Sequence, residues 1–150
     1  MNNYDLVAES NRIEGITREP TAAEIKTYDH FLSLEEVKIA DLIGFVKVYQ
    51  PDAVLRDRDG LNVMVGKHMP PLGGQAIVYK LQQILDIANS TGHENAWNVH
   101  CMYETLHPFT DGNGRSGRML WHWMMLGNPR RTQYGFLHYF YYQTLQNYRH

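Results

Sequence analysis

Residues 107–118 read HPFTDGNGRSGR, and the glycines of this stretch decide how the chain is interpreted. Residues 112–117, GNGRSG, fit the pattern G-x-G-x-x-G, which in dinucleotide-binding folds follows a strand and opens a helix. Those folds also place an acidic residue about 20 positions further on, where it binds a ribose. No Asp or Glu follows Asp111 in this chain, so the glycines do not indicate a dinucleotide-binding fold.

The segments on both sides of the glycines are predicted to be helices. Upstream, apolar residues recur with helical spacing from Ala96 to Leu106, and Pro108 disfavours helical geometry at His107. Downstream, residues 119–126 (MLWHWMML) are apolar almost all round, which is typical of a helix buried in the middle of a fold. The glycines therefore lie at a helix N-terminus, where unpaired backbone N–H groups and the helix dipole attract anions.

The remaining sequence is also mostly helical in pattern. Ser33 and Glu36 have the spacing of a capping box and predict a helix that starts at Ser33. Residues 54–65 contain two short apolar runs around the turn-rich RDRDG, which predicts a β-hairpin. The fold class is therefore predicted as all-α with one small β-hairpin. Further helices are expected over residues 6–14 (with Gly15 as the stop), 21–32, 33–50, 77–88, 96–106, from Gly114 onward, and in the aromatic-rich C-terminal segment.

Composition narrows the class of protein. The chain has 150 residues, is 43% hydrophobic and carries a net charge of −2, which fits one compact domain and argues against a general nucleic-acid binder. No stretch has the roughly 18 apolar residues of a membrane span, and the N-terminus has no signal-peptide pattern. The single Cys101 excludes an internal disulfide. We expect a cytoplasmic protein that acts on neither nucleic acid nor membrane.

The residues around the glycines supply the chemistry of a phosphate-transfer site. Arg115 and Arg118 are three apart on the first turn of the predicted helix, so both can point to the same side and reach phosphate oxygens. Asp111 is a hard oxygen ligand of the kind that Mg²⁺ prefers. His107, turned out of the helix by the proline, has an ordinary pKa near about 6.5 and suits a general base. The anion seat would be formed by Gly112, Asn113 and Gly114.

HPFTDGNGRSGR resembles the signature H-x-F-x-[D/E]-G-N-G-R-x-x-R of the Fic family, with every defined position filled. Most of residues 30–128 can be laid on that family's fold. The resemblance implies an all-α Fic-type helical bundle with a small β-hairpin flap. It also implies an enzyme, a protein adenylyltransferase that moves AMP from ATP to a Ser, Thr or Tyr hydroxyl of a target protein. ATP is the implied substrate and Mg²⁺ the implied cofactor.

The same resemblance implies a role for each residue of the signature. His107 would deprotonate the target hydroxyl, and Asp111 would hold Mg²⁺ on the α- and β-phosphates of ATP. Arg115 and Arg118 would bind the β- and γ-phosphates. The backbone at residues 112–114, with Asn113, would cradle phosphates.

Residues 63–71, VMVGKHMPP, resemble the family's flap, which precedes the signature and grips the backbone of the target protein. Phe109 would be buried and would anchor the signature loop. The identity of the target does not follow from the flap, because it pairs through backbone groups. The implied docking residues are Val63, Met64, Val65 and Gly66.

Residues 10–15, SNRIEG, resemble the family's inhibitory motif [S/T]-x-x-x-E-[G/N]. Ser10 and Glu14 are four apart and so lie on one helix face. In the family the glutamate pairs with the second arginine of the signature, here Arg118, and blocks a productive ATP pose. The resemblance is to the self-inhibited subclass, whose inhibitory helix precedes the core. It divides the chain into an inhibitory segment, residues 1–18, and a catalytic core, residues 19–150.

Several alternatives stay open at this point. The scaffold could use another donor or direction, such as UMP transfer, phosphocholine transfer, kinase action or AMP removal. Gly114 argues against kinase action, because the kinase-like branch of the family usually has lysine there. A catalytically idle module that only holds a partner protein is an alternative of a different class.

Two further residue groups invite other interpretations. The seven-residue spacing of His93, His100 and His107 suggests a metal site, although helical zinc ligands are usually closer together. We expect His100 to be packed behind the site instead. The aromatic cluster near the C-terminus is predicted to pack internally, and a homo-oligomer interface is the alternative. Its tyrosines are Tyr139, Tyr141, Tyr142 and Tyr148.

Overall fold

The computed structural model describes residues 1–149, except for the side chains of residues 142–144 and 146–149. Helices dominate this range, which confirms the all-α class. They are α1 (Asn3–Ile13), α2 (Ala22–Leu32), α3 (Ile39–Tyr49), α4 (Gln75–Ser90), α5 (Ala96–Leu106, preceded by a 3-10 turn at His93–Asn95), α6 (Asn113–Met124), α7 (Arg130–Gln133) and α8 (Gly135–Arg149).

Local signals set several of the helix ends. Thr21 caps α2 by accepting from the Glu24 backbone N–H at 3.1 Å, while the Glu24 carboxylate accepts from the Thr21 N–H at 2.8 Å. Gly15, at φ 78°, takes the left-handed conformation directly after the end of α1. Helix α5 ends at Leu106, as Pro108 predicted.

The predicted start of α3 at Ser33 is wrong. The Ser33 hydroxyl donates to the carbonyl of His30 at 2.5 Å and so belongs to the end of α2. The backbone N–H of Val37 donates to the side chain of Asn89 on α4, at 2.9 Å. This contact between distant segments holds residues 33–38 out of helical geometry, and α3 begins only at Ile39.

The predicted hairpin over residues 54–65 is not formed within the described residues. Instead, Leu55 makes an antiparallel bridge to Phe109 of the signature loop. The Arg56 N–H donates to Pro108 O, and the Thr110 N–H donates to Val54 O, each at 2.9 Å. The first apolar run thus pairs with the loop between α5 and α6. Among the described residues, the only other isolated bridge joins Val65 and His68 across a tight turn.

Helix α6 lies at the centre of the fold, in contact with α1, α2, α3 and α5. Its residues Met119, Leu120 and Trp121 are fully buried, as the apolar run predicted. Helix α1 contributes Leu6 and Val7 to the same core. This packing brings the end of α1 beside the beginning of α6.

The C-terminal aromatic cluster is only partly described. Tyr139 is half-buried and packs edge-on against Trp121 at 5.2 Å between ring centroids, whereas Tyr141 is exposed. Tyr142 and Tyr148 lie outside the described side chains, so their packing or oligomer role stays a prediction. Across residues 1–149 no helix combines the length and the apolar character needed to cross a bilayer.

Candidate functional site

His107 is the residue at which the chain leaves α5. Its φ is 53°, and it is the only non-glycine residue among those described with a positive φ. The imidazole is half-buried, and its Nδ1 is buried without a hydrogen-bond partner. Burial, and then the positive charge of Arg56, lower the pKa of His107. The ring is therefore neutral at neutral pH and can accept a proton.

Asn113 fixes the loop that separates His107 from α6. Its side-chain Oδ1 accepts from the Phe109 N–H and its Nδ2 donates to the Phe109 carbonyl, both at 2.8 Å. The Phe109 ring is buried, as expected of an anchor. The Asn113 amide is thus engaged with the Phe109 backbone, while the Asn113 backbone N–H lies at the start of α6.

The first turn of α6 presents unpaired donors. The first bond of the helix runs from Ser116 N to Gly112 O at 3.0 Å. Among the described residues, the N–H groups of Asn113, Gly114 and Arg115 therefore have no acceptor, and they point to the positive end of the helix dipole. The Gly112 N–H is different, since it donates to Asp111 Oδ1 at 2.7 Å.

Arg118 joins the anion seat to α1. Its Nη2 donates to Glu14 Oε1 at 2.6 Å and to the Ser10 carbonyl at 3.1 Å. Its Nε donates to Ser10 Oγ at 2.9 Å. All three bonds come from a guanidinium that is almost fully buried. The two residues of the SNRIEG motif thus meet the second arginine of the signature.

Arg115 points elsewhere. Its guanidinium donates to Tyr49 O at 3.2 Å and to Gln50 Oε1 at 3.1 Å, at the C-terminal end of α3. The two arginines were expected to share one side, but they have different partners in this structure. Arg115 Nε is buried and has no hydrogen-bond partner among the described residues.

The Glu14 carboxylate lies directly against the first turn of α6. A Cβ atom added to Gly114 would clash with Glu14 Oε1, and it would lie 3.0 Å from Arg118 Nη1. Gly114 is helical and needs no special φ. Its lack of a side chain is instead what lets a carboxylate approach the unpaired N–H groups.

Two buried groups near the site were not identified from the sequence. Arg56 is fully buried beside His107. Glu104 is partly exposed, but its Oε1 is buried without a hydrogen-bond partner, 3.9 Å from His100 Nε2. Burial raises the pKa of Glu104 to about 7, against the opposing charge of Arg118. The glycine at position 117 could have indicated that another side chain approaches α6 closely there, because a Cβ atom on Gly117 would lie 2.5 Å from Glu104 Oε1.

Histidines do not form a metal site within the described residues. Among these residues, no group of three or more His, Cys, Asp or Glu side chains converges on one point. His100 is buried and stacks on Trp97 at 5.6 Å, which agrees with the packing role expected for it. Burial lowers the pKa of His100 to about 4, so it is neutral.

The flap residues lie at the surface near His107. Met64 and Val65 are exposed, Val63 is half-buried, and Gly66 has φ 59° in the turn that ends at His68. The His68 Nε2 lies 3.1 Å from the carbonyl of Thr105 on α5. The exposed apolar side chains are therefore held close to the end of α5, where His107 lies.

A comparison with protein families supports one assignment. The model of the Fic/DOC family matches residues 27–125, which is well over half of the chain and includes the signature loop. No curated protein matches the chain. The matched span begins within α2 and ends just after α6. On this evidence, the chain belongs to the Fic/DOC family.

Proposed function

We propose that this protein is an adenylyltransferase that attaches AMP to a hydroxyl of a target protein. The observation that carries the proposal is the short distance in sequence between a neutral, half-buried base and an anion seat. His107 ends α5, and the unpaired N–H groups of α6 begin only six residues later, at Asn113. The loop between them is held by Asn113, so both groups keep a fixed relation.

The proposed reaction is an in-line substitution at the α-phosphorus of ATP. The target hydroxyl gives its proton to His107, and its oxygen forms a bond to the α-phosphorus. The bond from that phosphorus to the oxygen bridging to the β-phosphate breaks, and pyrophosphate leaves with the bonding electrons. The N–H groups at the start of α6, with Arg118, would stabilise the negative charge on the phosphates.

Asp111 is suited to hold Mg²⁺. It is exposed, and among the described residues its Oδ2 has no hydrogen-bond partner. Mg²⁺ bound with ATP typically takes one or two carboxylates and completes its shell with phosphates and water. The ion supplies charge neutralisation at the phosphates when it is bound.

We further propose that α1 inhibits the enzyme. In this scheme residues 1–18 form the inhibitory segment and residues 19–150 the core. Glu14 places a carboxylate where phosphate oxygens would otherwise meet Gly114 and Arg118. A nucleotide that binds productively must displace it. This assigns the protein to the self-inhibited subclass of the family.

The target protein is proposed to dock on the flap. Met64 and Val65 expose apolar surface, and the adjoining segment adds two more exposed apolar side chains, Met69 and Leu72. Exposed apolar patches of this kind commonly mark protein-binding surfaces.

The decisive experiment is transfer of label from α-³²P-ATP to proteins of a cell lysate in the presence of Mg²⁺. Glu14→Gly is the parent, His107→Ala removes the base from it, and His93→Ala is a control at an exposed histidine. We expect a labelled band in the parent and in the His93 control, and none without His107. Label from γ-³²P-ATP only would instead support kinase action.

Two further outcomes would point to other activities. ATP binding without transfer would favour another donor or AMP removal. Neither binding nor transfer would leave the idle protein-binding module. A thermal-shift measurement with and without ATP and Mg²⁺ separates these two results.

A further inference from the structure

Arg56 is a fully buried arginine whose hydrogen bonds all go to backbone carbonyls. Its Nε donates to His107 O at 2.7 Å and its Nη2 to Leu106 O at 2.9 Å. Its Nη1 donates to Leu61 O at 3.1 Å and to Pro71 O at 2.8 Å. Among the described side chains no carboxylate lies within ion-pair distance of Arg56. A buried charge needs such compensation, and here four carbonyl dipoles provide it.

Two of these carbonyls belong to the end of the helix that carries the base. Leu106 is the last residue of α5 and His107 is its C-cap. The last carbonyls of a helix lack partners within the helix and lie at the negative end of its dipole. Arg56 satisfies two of them and places a positive charge there. It thereby supports the left-handed conformation of His107, which is unfavourable for a non-glycine residue.

The other two carbonyls belong to the two ends of the flap segment. Leu61 precedes the docking residues 63–66 and Pro71 follows them, so one Nη1 group closes the segment at its base. A second hydrogen bond joins the two ends of the flap segment, from the Gly73 N–H to Asn62 Oδ1 at 2.9 Å. A single guanidinium therefore connects both ends of the flap segment to the backbone of His107, the proposed general base.

We propose that Arg56 is a positioning residue, which sets the distance and direction between a target segment docked on the flap and the imidazole of His107. This inference rests on the proposed transferase function. A side chain with one donor point, such as lysine, cannot span four carbonyls, because only the planar guanidinium offers donors in several directions. Misplacement of a reacting group by about 1 Å can slow a reaction by about a hundredfold.

The charge of Arg56 acts on His107 as well. Around the imidazole, Arg56 and His68 of the flap lower the pKa of His107, while Asp111 and a backbone contact at Glu104 raise it. Removing the charge should raise that pKa, whereas exchanging it for a lysine charge should not. The effect of Arg56 on position and its effect on the pKa of His107 can therefore be separated by comparing a lysine with a neutral side chain at residue 56.

The test uses the Glu14→Gly parent with label transfer and ATP binding measured side by side. Arg56→Lys should lower the rate of label transfer to lysate proteins at saturating ATP by about a hundredfold, while the Kd for ATP with Mg²⁺ changes less than about threefold. Arg56→Met should lose transfer equally and also move the acidic limb of the pH profile upward. Arg58→Ala, two residues away at an exposed side chain, is the matched control and should leave both quantities unchanged.

Asn62→Ala tests the flap base independently of the stability of the Arg56 variants. It opens the bond to Gly73 and leaves the bonds from Arg56 to α5 in place. Transfer should fall while ATP binding and the pH profile stay as in the parent. Undiminished transfer in Arg56→Lys or Asn62→Ala, or ATP binding that falls in parallel with transfer, would overturn the proposal. If the parent itself transfers no label, the proposed function fails first.

Discussion

Replacing Glu14 tests whether a carboxylate in the anion seat limits the enzyme. Only one of the three bonds from Arg118 to α1 goes to Glu14, and the two to Ser10, at 2.9 and 3.1 Å, remain after the substitution. Helix α1 also keeps Leu6 and Val7 in the core. The change is therefore confined to the seat, and the fold should survive it.

The expected size follows from the geometry of the pair. A hydrogen bond to a charged group contributes about 1.5–3 kcal/mol. The Glu14 side chain is 37% exposed, so solvent screening places this contact near the lower end, at about 1.5–2 kcal/mol. Removing it should raise activity at subsaturating ATP by about 10–30-fold. Glu14→Gln retains the volume with a neutral bond about half as strong, so its gain should be about three- to sixfold.

The assay is label transfer at an ATP concentration below KM, together with calorimetry of ATP binding in the presence of Mg²⁺. The order of both activity and affinity should be Gly above Gln above wild type. Glu19→Gly, which removes an exposed acid outside the seat, should resemble wild type. Wild-type behaviour of both Glu14 variants would refute the competition between carboxylate and phosphate. Equal gains for Gln and Gly would refute the electrostatic part of the estimate.

Three further predictions concern the loop, a buried carboxylate and the base. Asn113→Ala leaves two buried backbone groups of Phe109 unpaired and should lower the free energy of unfolding by about 2–4 kcal/mol, measured by denaturant titration; Asn113→Asp turns a carboxylate oxygen toward the Phe109 carbonyl in a buried position and should lose at least as much. Burial raises the pKa of Glu104 above its unfolded value, so the stability it contributes is complete below pH 4.5 and is lost as the pH rises through about 7. Oε1 is buried while the side chain is a third exposed, so the free energy of unfolding of Glu104→Gln, relative to wild type, should rise by about 1–2 kcal/mol between pH 4.5 and 8. A difference that does not change with pH would contradict this. The lowered pKa of His107 puts the acidic limb of transfer by Glu14→Gly below pH 6.5, and a limb above that value would exclude it as the base in this environment.

Helix ends were predictable where the deciding contact is local. Thr21 and Glu24 form their capping box within four residues, and Pro108 acts on its immediate neighbour. The start of α3 combines a local contact, from the Lys38 N–H to Asp41 Oδ2 at 2.8 Å, with a distant one, from the Val37 N–H to Asn89, 52 positions away. The segment at residues 54–56, which contains the first apolar run, likewise pairs with residues 108–110 rather than with its neighbour in sequence. Patterns of short range do not specify which distant partner a segment selects.

The candidate site shows the same difference, because its residue types were predictable from the sequence and their hydrogen-bond partners were not. The signature identified the candidate base, the arginines and the glycines, because the chemistry of these residue types follows directly from the sequence. It did not give the direction of Arg115, which depends on where α3 ends, or the engagement of the Asn113 amide with Phe109. The turn-rich RDRDG between two apolar runs predicts a hairpin turn that contains Arg56, and an arginine in such a turn normally faces solvent. Its burial depends on four backbone carbonyls that meet it, two at the end of α5 and two at the ends of the flap segment.

The proposed brake can be released without removing α1. Leu6 and Val7 are fully buried, and exposing each would cost about 1.5–3 kcal/mol. Departure of the helix would therefore cost more than the about 1.5–2 kcal/mol assigned to the Glu14 contact. Glu14 lies beyond the last residue of α1, next to Gly15 with its positive φ. A change of rotamer of the Glu14 side chain would free the seat while Ser10, the core contacts and the backbone bonds of residues 14–16 stay, so a productive nucleotide would have to displace one side chain and not a helix.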